Sequence, residues 1–249
     1  EKNKLDIPAV AILTDYVVHS LWLDNGMDAF IVANELMKSE MIKRGVPGNI
    51  IFPYGIPVSP KFLNRADKKK LKQELGLDDR FTVMVMGGGM GFGNIDNTMA
   101  SLLDCDIDIQ IIAVTGTNQK LKTQLERSAE KSNKKVIILS YTDRINELMD
   151  ISDLLITKPG GMTISEALVK GLPIFIISPI PGQEEGNANF LIRSGAANKI
   201  DDKTHLISVL SQVANDPVTL NTMRENSKYL GKPHSASDIA TLLGKLVLG

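Results

Sequence analysis

The sequence has a single cysteine, Cys105, among 249 residues. One cysteine excludes an intrachain disulfide and indicates a reducing compartment, where Cys105 is expected to serve as a small core side chain. Aromatic residues make up only 5% of the chain, which argues against a stacking surface for single-stranded nucleic acid. The formal net charge of −1 gives no overall field that would attract nucleic acid. No apolar run approaches the roughly 20 residues of a membrane-spanning helix.

Short apolar runs alternate with helical patterns along most of the chain. Runs that are apolar throughout are typical of a parallel sheet covered by helices on both faces. Strands are predicted over 81–86, 109–114, 136–139, 154–157 and 173–177, each followed by a helix. This order predicts a doubly wound α/β domain. Shorter strands are predicted before it, over 10–13, 29–33 and 50–52, and closing helices after it, over 203–215, 217–230 and 235–248.

Three segments outside the predicted strands give further local predictions. A proline-rich connection over 55–60 is the best candidate for a domain boundary. After it, a charged helix is predicted over 61–75, and its lysines fit a solvated helix face better than a contact with anionic lipid. A later helix is predicted over 187–194, with Asn187 able to act as its N-cap.

The first segment that indicates chemistry is Gly87–Gly93, which has five glycines and directly follows a predicted strand. Glycines at this position let the backbone approach a diphosphate closely, whereas a simple tight turn needs only one or two. The segment does not match G-x-G-x-x-G and lacks the lysine of a P-loop. The next strand runs into Thr115 without an acidic partner for a dinucleotide ribose, so NAD binding and ATP hydrolysis are both disfavoured.

The second segment is Pro159-Gly160-Gly161, which leads into a predicted helix start at Thr163. Unpaired backbone N–H groups at a helix start attract a phosphate. Glu166 completes the capping-box pattern S/T-x-x-E with Thr163. It therefore either caps its own helix or accepts hydrogen bonds from a ribose diol. The residues alone leave these two roles evenly balanced.

The third segment, Pro181–Asn187, carries several amide and carboxylate side chains after the predicted strand at 173–177. Taken alone, Gln183 and Glu184 fit solvated loop residues. Their expected place beside Glu166, on the same edge of the sheet, favours a role in binding a ligand. Together the three segments predict a site for a nucleotide-activated sugar, and therefore a glycosyltransferase.

Over nearly its whole length the chain resembles the glycosyltransferases of family 28, most closely the diacylglycerol glucosyltransferases and monogalactosyldiacylglycerol synthases. The segments that carry this resemblance are Thr14-Asp15-Tyr16 with His19 and Trp22, Gly55-Ile56-Pro57-Val58, Gly87–Gly93, Thr157–Leu168 and Pro181–Asn187. The glycine and Pro-Gly-Gly segments are shared with the bacterial enzyme that adds N-acetylglucosamine to a lipid-linked peptidoglycan precursor.

The resemblance implies the GT-B architecture, in which two Rossmann-like domains face each other. It implies a complete C-terminal parallel-sheet domain over 59–232 that binds a UDP-sugar, a partial N-terminal acceptor domain over 1–58, and a C-terminal helix over 233–249. It also implies that Glu166 holds the ribose and that Gln183 and Glu184 touch the sugar. The donor-binding residues expected on this basis are Gly88, Gly89, Met90, Gly91, Tyr141, Thr142, Gly160, Gly161, Met162, Thr163, Glu166, Gln183, Glu184 and Asn187.

On the acceptor side the sequence departs from the family. Members begin with a glycine-rich loop containing a histidine, and no such segment occurs here, so the chain is expected to be a fragment that binds the donor and catalyses little. His19 is the candidate catalytic residue within the chain, although a lone histidine more often has a structural role. Trp22 either lines the acceptor path or simply packs.

The resemblance further implies inverting transfer of a hexose from UDP-glucose or UDP-galactose to the hydroxyl of diacylglycerol, with no bound metal or other cofactor. Because that lipid stays in the bilayer, the protein is expected to be cytoplasmic and peripheral on the inner face of the cell membrane. The competing hypotheses are a UDP-sugar epimerase, the N-acetylglucosaminyltransferase named above, and a nonenzymatic module that binds nucleotide sugars.

Overall fold

The structure is a computed structural model that describes residues 7–19, 22–23, 26–88 and 94–248. A small parallel sheet is formed by residues near the N-terminus. Its strands, in spatial order, are β1 (Val10–Ile12), β2 (Ala29–Ile31) and β3 (Ile51–Phe52). Helix α1 (Glu35–Lys43) connects β2 to β3, and the Asn34 side chain caps it by accepting a hydrogen bond from the Met37 N–H.

A second, six-stranded sheet forms the larger part of the molecule, and all its strand pairs are parallel. Its strands are β4 (Phe81–Met86), β5 (Ile109–Val114), β6 (Val136–Leu139), β7 (Leu154–Thr157), β8 (Ile174–Ile176) and β9 (Ala197–Lys199). Their spatial order is β6-β5-β4-β7-β8-β9. The direction of winding therefore reverses at β4, and the carboxyl ends of β4 and β7 flank the crevice where open α/β sheets bind ligands.

The helices that follow α1 connect and cover the strands of the large sheet and then close the chain. They are α2 (Lys68–Glu74), α3 (Ile95–Asp104), α4 (Gln119–Ala129), α5 (Ile145–Ile151), α6 (Gly161–Lys170), α7 (Gln183–Arg193), α8 (Lys203–Asn215), α9 (Pro217–Leu230) and α10 (Ser235–Leu248). Helix α10 returns to the small sheet, where Ile239 and Leu242 pack against Ala29 and Ile31. Within the described ranges, no helix is both long and apolar enough to cross a membrane.

The core explains why the large sheet forms where the apolar runs predict it. Every residue of β5 and of β7 is buried, as expected for parallel strands covered on both faces. One of the two apolar layers also contains Leu13, Tyr16 and Val18, together with Ile164 of α6 and Ala188 of α7. The segment after β1 thus packs directly on helices of the large sheet. The division into domains at residues 58 and 59 stays a prediction.

The linker between the two sheets differs from the charged helix predicted over 61–75. A short 3-10 turn occupies Pro60–Leu63, and helix α2 begins only at Lys68. The intervening residues are held by the Asp150 carboxylate, which accepts from the Arg65 guanidinium at 3.1 Å and from the Ala66 N–H at 3.0 Å. The prediction was wrong because these long-range bonds outweigh local helix propensity.

Candidate functional site

The turns after β4, β7 and β8 emerge at one edge of the large sheet because all six strands run in the same direction. The Lys158 side chain connects them. Its Cε lies 3.8 Å from the position that a Cβ atom on Gly88 would occupy, and its Nζ lies 3.0 Å from Glu184 Oε1. The three predicted segments therefore meet at a common crevice. Gly89, Met90 and Gly91 lie outside the described residues, so their predicted roles stay predictions.

Helix α6 presents a free N-terminus to this crevice. The helix begins at Gly161 with Gly160 as its N-cap residue, and the Ile164 N–H bonds to the Gly160 carbonyl at 3.0 Å. The N–H groups of Gly161, Met162 and Thr163 find no acceptor among the described residues. A Cβ atom on Gly160 would have nothing within 4 Å, so there is open space beside these donors. Such a helix start is suited to an anion.

Glu166 is not part of a capping box. Thr163 is the third residue of α6 rather than its N-cap, so that alternative is wrong. Within the described part of the chain, the Glu166 carboxylate forms no hydrogen bond or ion pair. Burial raises its pKa to about 7 from the usual 4.5. A half-buried carboxylate without a partner is costly, and hydroxyl donors from a ligand would offset that cost. The ribose role itself stays a prediction.

Helix α7 begins at Gln183, four residues before its predicted start. Gly182 allows this because it adopts φ 99°, a left-handed conformation that suits glycine. Gln183 and Glu184 therefore lie in the first helical turn and not in a loop. Asn187 is inside the helix, so its predicted role as an N-cap was wrong.

Asn187 is fully buried, and its side chain links α7 to the segment after β1 and to the turn after β7. Its Oδ1 accepts from the Tyr16 N–H at 2.7 Å, and its Nδ2 donates to Asp15 Oδ1 at 2.7 Å and to the Pro159 carbonyl at 3.0 Å. Because both amide hydrogens and the amide oxygen are engaged with the protein, this geometry supports a positioning role rather than the predicted direct donor contact.

The Tyr16 side chain packs the segment after β1 against helices α6 and α7. Its hydroxyl is 2.9 Å from Ser165 Oγ, and its ring stacks on Phe190 with centroids 4.8 Å apart. Burial raises the pKa of the Tyr16 hydroxyl to about 12, so it stays protonated at neutral pH. Gly161 permits the close approach of this segment, because a Cβ atom there would lie 1.8 Å from the Thr14 carbonyl oxygen. No role of Tyr16 or Lys158 was predicted, although both lie in segments that carry the family resemblance.

The carboxylate of Glu184 is already occupied in this structure. Its Oε1 pairs with Lys158, and its Oε2 accepts from the Ile180 N–H at 3.0 Å. Gln183, by contrast, is exposed and has no side-chain partner among the described residues. The two predicted sugar contacts thus differ: one side chain is held in place, and the other is available.

The remaining predicted residues lie farther out. Tyr141 and Thr142 follow β6, at the outer end of the same sheet edge. Tyr141 is 73% exposed, and the Thr142 hydroxyl accepts from the Arg144 N–H. His19 is exposed, and its ring centroid is 5.8 Å from that of Trp22, which packs partly against the core. The described residues contain no group of three or more potential ligands placed to hold a metal ion. That observation leaves the metal-free mechanism a prediction.

Comparisons of sequence identify related proteins. A family model described as the glycosyltransferase family 28 C-terminal domain matches residues 82–243, and one described as monogalactosyldiacylglycerol (MGDG) synthase matches residues 1–58. The chain is 34% identical over 232 residues to a processive diacylglycerol beta-glucosyltransferase of Staphylococcus epidermidis, covering 92% of this chain and 59% of that protein. It is 30% identical over 234 residues to the Bacillus subtilis protein of the same name, covering 94% and 61%. The chain thus spans about three fifths of the length of these relatives.

Solved structures show the same fold at low sequence identity. MurG of Acinetobacter baumannii superposes with a TM-score of 0.71 at 17% identity, over 97% of this chain and 67% of that one. UDP-GlcNAc 2-epimerase of Neisseria meningitidis, bound to UDP-GlcNAc, gives 0.71 at 16% identity, over 96% and 70%. HepE of Anabaena, in complex with UDP-glucose, gives 0.62 at 18% identity, over 96% and 72%.

These similarities confirm the predicted α/β fold of GT-B type. At such identities they show the fold alone. The match to the C-terminal domain model is decisive for the family because it covers more than half of the 249 residues. The chain belongs to glycosyltransferase family 28.

Proposed function

We propose that the protein carrying this chain transfers a hexose from a UDP-sugar to the hydroxyl of diacylglycerol, as a step of glycolipid synthesis. The observation that carries the proposal is a combination on α6: among the described residues, neither the N–H groups of Gly161–Thr163 nor the Glu166 carboxylate has a hydrogen-bonding partner. The first suits a diphosphate, and the second suits a ribose diol. The names of the relatives, diacylglycerol beta-glucosyltransferases, support the lipid acceptor.

The proposed reaction is a single inverting displacement. A base removes the proton of the acceptor hydroxyl, whose oxygen attacks the anomeric carbon from the face opposite the diphosphate. The bond between that carbon and the diphosphate oxygen breaks, and UDP leaves with the bonding electrons. In this proposal the N–H groups at the start of α6 face the developing charge and stabilise it without reorganisation. No metal enters the proposal.

The acceptor side of the proposal rests on the segment after β1. His19 and Trp22 lie there, and the segment is anchored to the donor helices through Tyr16 and Asn187. We assign His19 to proton transfer and Trp22 to the acceptor path. Because diacylglycerol remains in the bilayer, the proposal includes peripheral attachment at the cytoplasmic face of the membrane.

Mass spectrometry of lipid products tests this function. The protein that carries this chain is incubated with diacylglycerol vesicles and either UDP-glucose or UDP-galactose. The expected result is a hexosyl diacylglycerol with one of the two donors, which also identifies the sugar. Absence of any hexosyl lipid, under conditions in which the Bacillus subtilis relative forms it, would contradict the proposal.

A second candidate, epimerisation of a UDP-sugar, is compatible with the fold, which does not distinguish the two reactions. The Neisseria meningitidis epimerase superposes as well as MurG does, with the same TM-score of 0.71. An incubation with the donor alone separates the two reactions, since only an epimerase changes the sugar without an acceptor. Recovery of unchanged donor, together with transfer to lipid, supports the transferase.

A further inference from the structure

Lys158 lies between Gly88 and Glu184 at the candidate site, but it is not among the predicted donor-binding residues. It directly follows β7 and lies two residues before Gly160, the N-cap residue of α6. Its side chain is 21% exposed, and that of its partner Glu184 is 15% exposed. A cation that is held this far from water, beside the Gly88 turn and the start of α6, lies where the proposed diphosphate would bind.

The Lys158–Glu184 pair also engages the carboxylate that is predicted to contact the sugar. Glu184 Oε1 is committed to Lys158, and Oε2 to the Ile180 N–H. A sugar hydroxyl would therefore compete with Lys158 for Oε1 and with the Ile180 N–H for Oε2, since each oxygen already accepts one hydrogen bond. A diphosphate would compete for the same ammonium group, because it is an anion with several acceptor oxygens.

We propose that Lys158 is the diphosphate-binding cation and that it exchanges partners when the donor binds. Its ammonium group passes from Glu184 to the diphosphate, and the released Glu184 Oε1 accepts a hydrogen bond from a hydroxyl of the sugar. Glu184 keeps its orientation during the exchange because the Ile180 N–H still holds Oε2. This inference rests on the proposed function and assigns to Lys158 the link between nucleotide binding and sugar recognition.

Two features make the exchange physically reasonable. The open space beside Gly160 gives a diphosphate room next to the N–H groups of α6, two residues along the chain from Lys158. Without the ammonium group, the Glu184 carboxylate would repel the diphosphate across a partly buried crevice, where charges interact more strongly than in water. Lys158 removes that repulsion and replaces it with attraction.

Calorimetric titration of this chain with uridine, UDP and UDP-glucose tests the inference. Lys158→Met is expected to lower affinity for UDP about tenfold or more, since a charge-assisted hydrogen bond is lost, and to leave affinity for uridine unchanged. Lys158→Arg is expected to retain most of the UDP affinity. The matched control is Lys122→Met on α4, which removes a similarly exposed lysine paired with Glu126 and should change none of the three affinities.

Glu184→Gln gives an independent reading that does not depend on removing the lysine. It frees the ammonium group, so UDP should bind more tightly than in the wild type, while UDP-glucose should lose its advantage over UDP. Melting temperatures establish that each variant is folded. Equal weakening of uridine and UDP by Lys158→Met, or weaker UDP binding by Glu184→Gln, would overturn the role of Lys158. Failure of the wild-type chain to bind either uridine or UDP would instead overturn the proposed function.

Discussion

At the scale of single residues, the partly buried carboxyl group of Glu166 should make both the stability of the fold and the affinity for the donor depend on pH. Its pKa in the folded protein is about 7, above the usual 4.5, because burial disfavours the carboxylate. Between these two values the folded state holds the proton more tightly than the unfolded state does. The free energy of unfolding contributed by this group is therefore fully present below about pH 4.5 and is lost as pH rises through about 7.

Glu166→Gln should remove this pH dependence, since an amide does not titrate. The free energy of unfolding of the variant, minus that of the wild type, should therefore be larger at about pH 8 than at about pH 5. At the higher pH only the wild type carries a buried charge. Urea denaturation at both pH values measures the difference. A stability difference that is the same at both values would show that Glu166 titrates normally.

The same residue should make donor binding depend on pH. A ribose diol donates hydrogen bonds to a carboxylate better than to a protonated carboxyl group, so affinity for UDP-glucose should rise as pH increases through about 7. Glu166→Ala should weaken binding of uridine nucleotides and abolish this dependence. Calorimetry in buffers of different ionisation enthalpy detects the proton released on binding. Unchanged affinity in the Ala variant would refute the ribose assignment.

At the scale of secondary-structure elements, a buried ion pair fixes the linker against α5 and α6. Lys170 Nζ lies 2.6 Å from Asp150 Oδ2, and the two side chains are 0% and 1% exposed. The ammonium group also bonds to the Asn64 carbonyl, while Arg65 donates to the carbonyls of Val169 and Lys170 at the end of α6. These contacts give the linker the irregular course that the sequence pattern did not predict.

Removing one member of this pair should be far more damaging than removing both. Lys170→Met leaves the Asp150 carboxylate buried without its ammonium partner and should lower the free energy of unfolding by roughly 3–5 kcal/mol. Asp150→Leu combined with Lys170→Met should recover much of that loss, because no buried charge remains unpaired: the Arg65 side chain, which also loses the carboxylate, is 55% exposed. Urea denaturation of the single and double variants measures both effects. A double variant that is no more stable than Lys170→Met would mean that packing, not charge, dominates here.

The inner strands of the large sheet could be predicted because each is a largely apolar run that is buried on both faces, and the half-buried edge strand β6 is also an apolar run. Those at 81–86, 109–114, 136–139 and 154–157 are confirmed. The start of α7 could not be predicted in the same way. In the sequence, Pro181-Gly182 indicates a loop, whereas in the structure Gly182 adopts φ 99° and the helix begins at the next residue. Asn187 is a good N-cap by residue type, yet its amide serves partners far away in the chain.

At the scale of the whole molecule, two adjacent glycines have separate tasks. A Cβ atom on Gly161 would lie 1.8 Å from the Thr14 carbonyl oxygen, whereas one on Gly160 would meet nothing within 4 Å. Gly160 also adopts φ −69°, which any residue can take. The first glycine lets the segment after β1 pack on α6, and the second leaves space in the crevice.

Alanine substitutions should separate these tasks. Gly161→Ala should force the segment carrying Thr14 away from α6 and lower the melting temperature by several degrees, since overpacking costs about 1–3 kcal/mol. Gly160→Ala should leave the melting temperature nearly unchanged and weaken UDP binding by occupying the space beside the α6 N–H groups. Calorimetry and thermal unfolding of both variants measure the contrast. Unaltered UDP affinity in Gly160→Ala would place the ligand elsewhere.

The amino-acid pattern alone was enough to predict the α/β fold, the sheet edge of the candidate site and the segments that meet there. It could do so because apolar runs, glycine turns and parallel strand order are local properties whose consequences are general. The packing was needed to show that Glu166 has no partner among the residues the structure describes, that Lys158 pairs with Glu184, and that Asn187 holds Tyr16. These facts depend on contacts between residues up to 171 positions apart, which only the packing of helices on the sheet brings together.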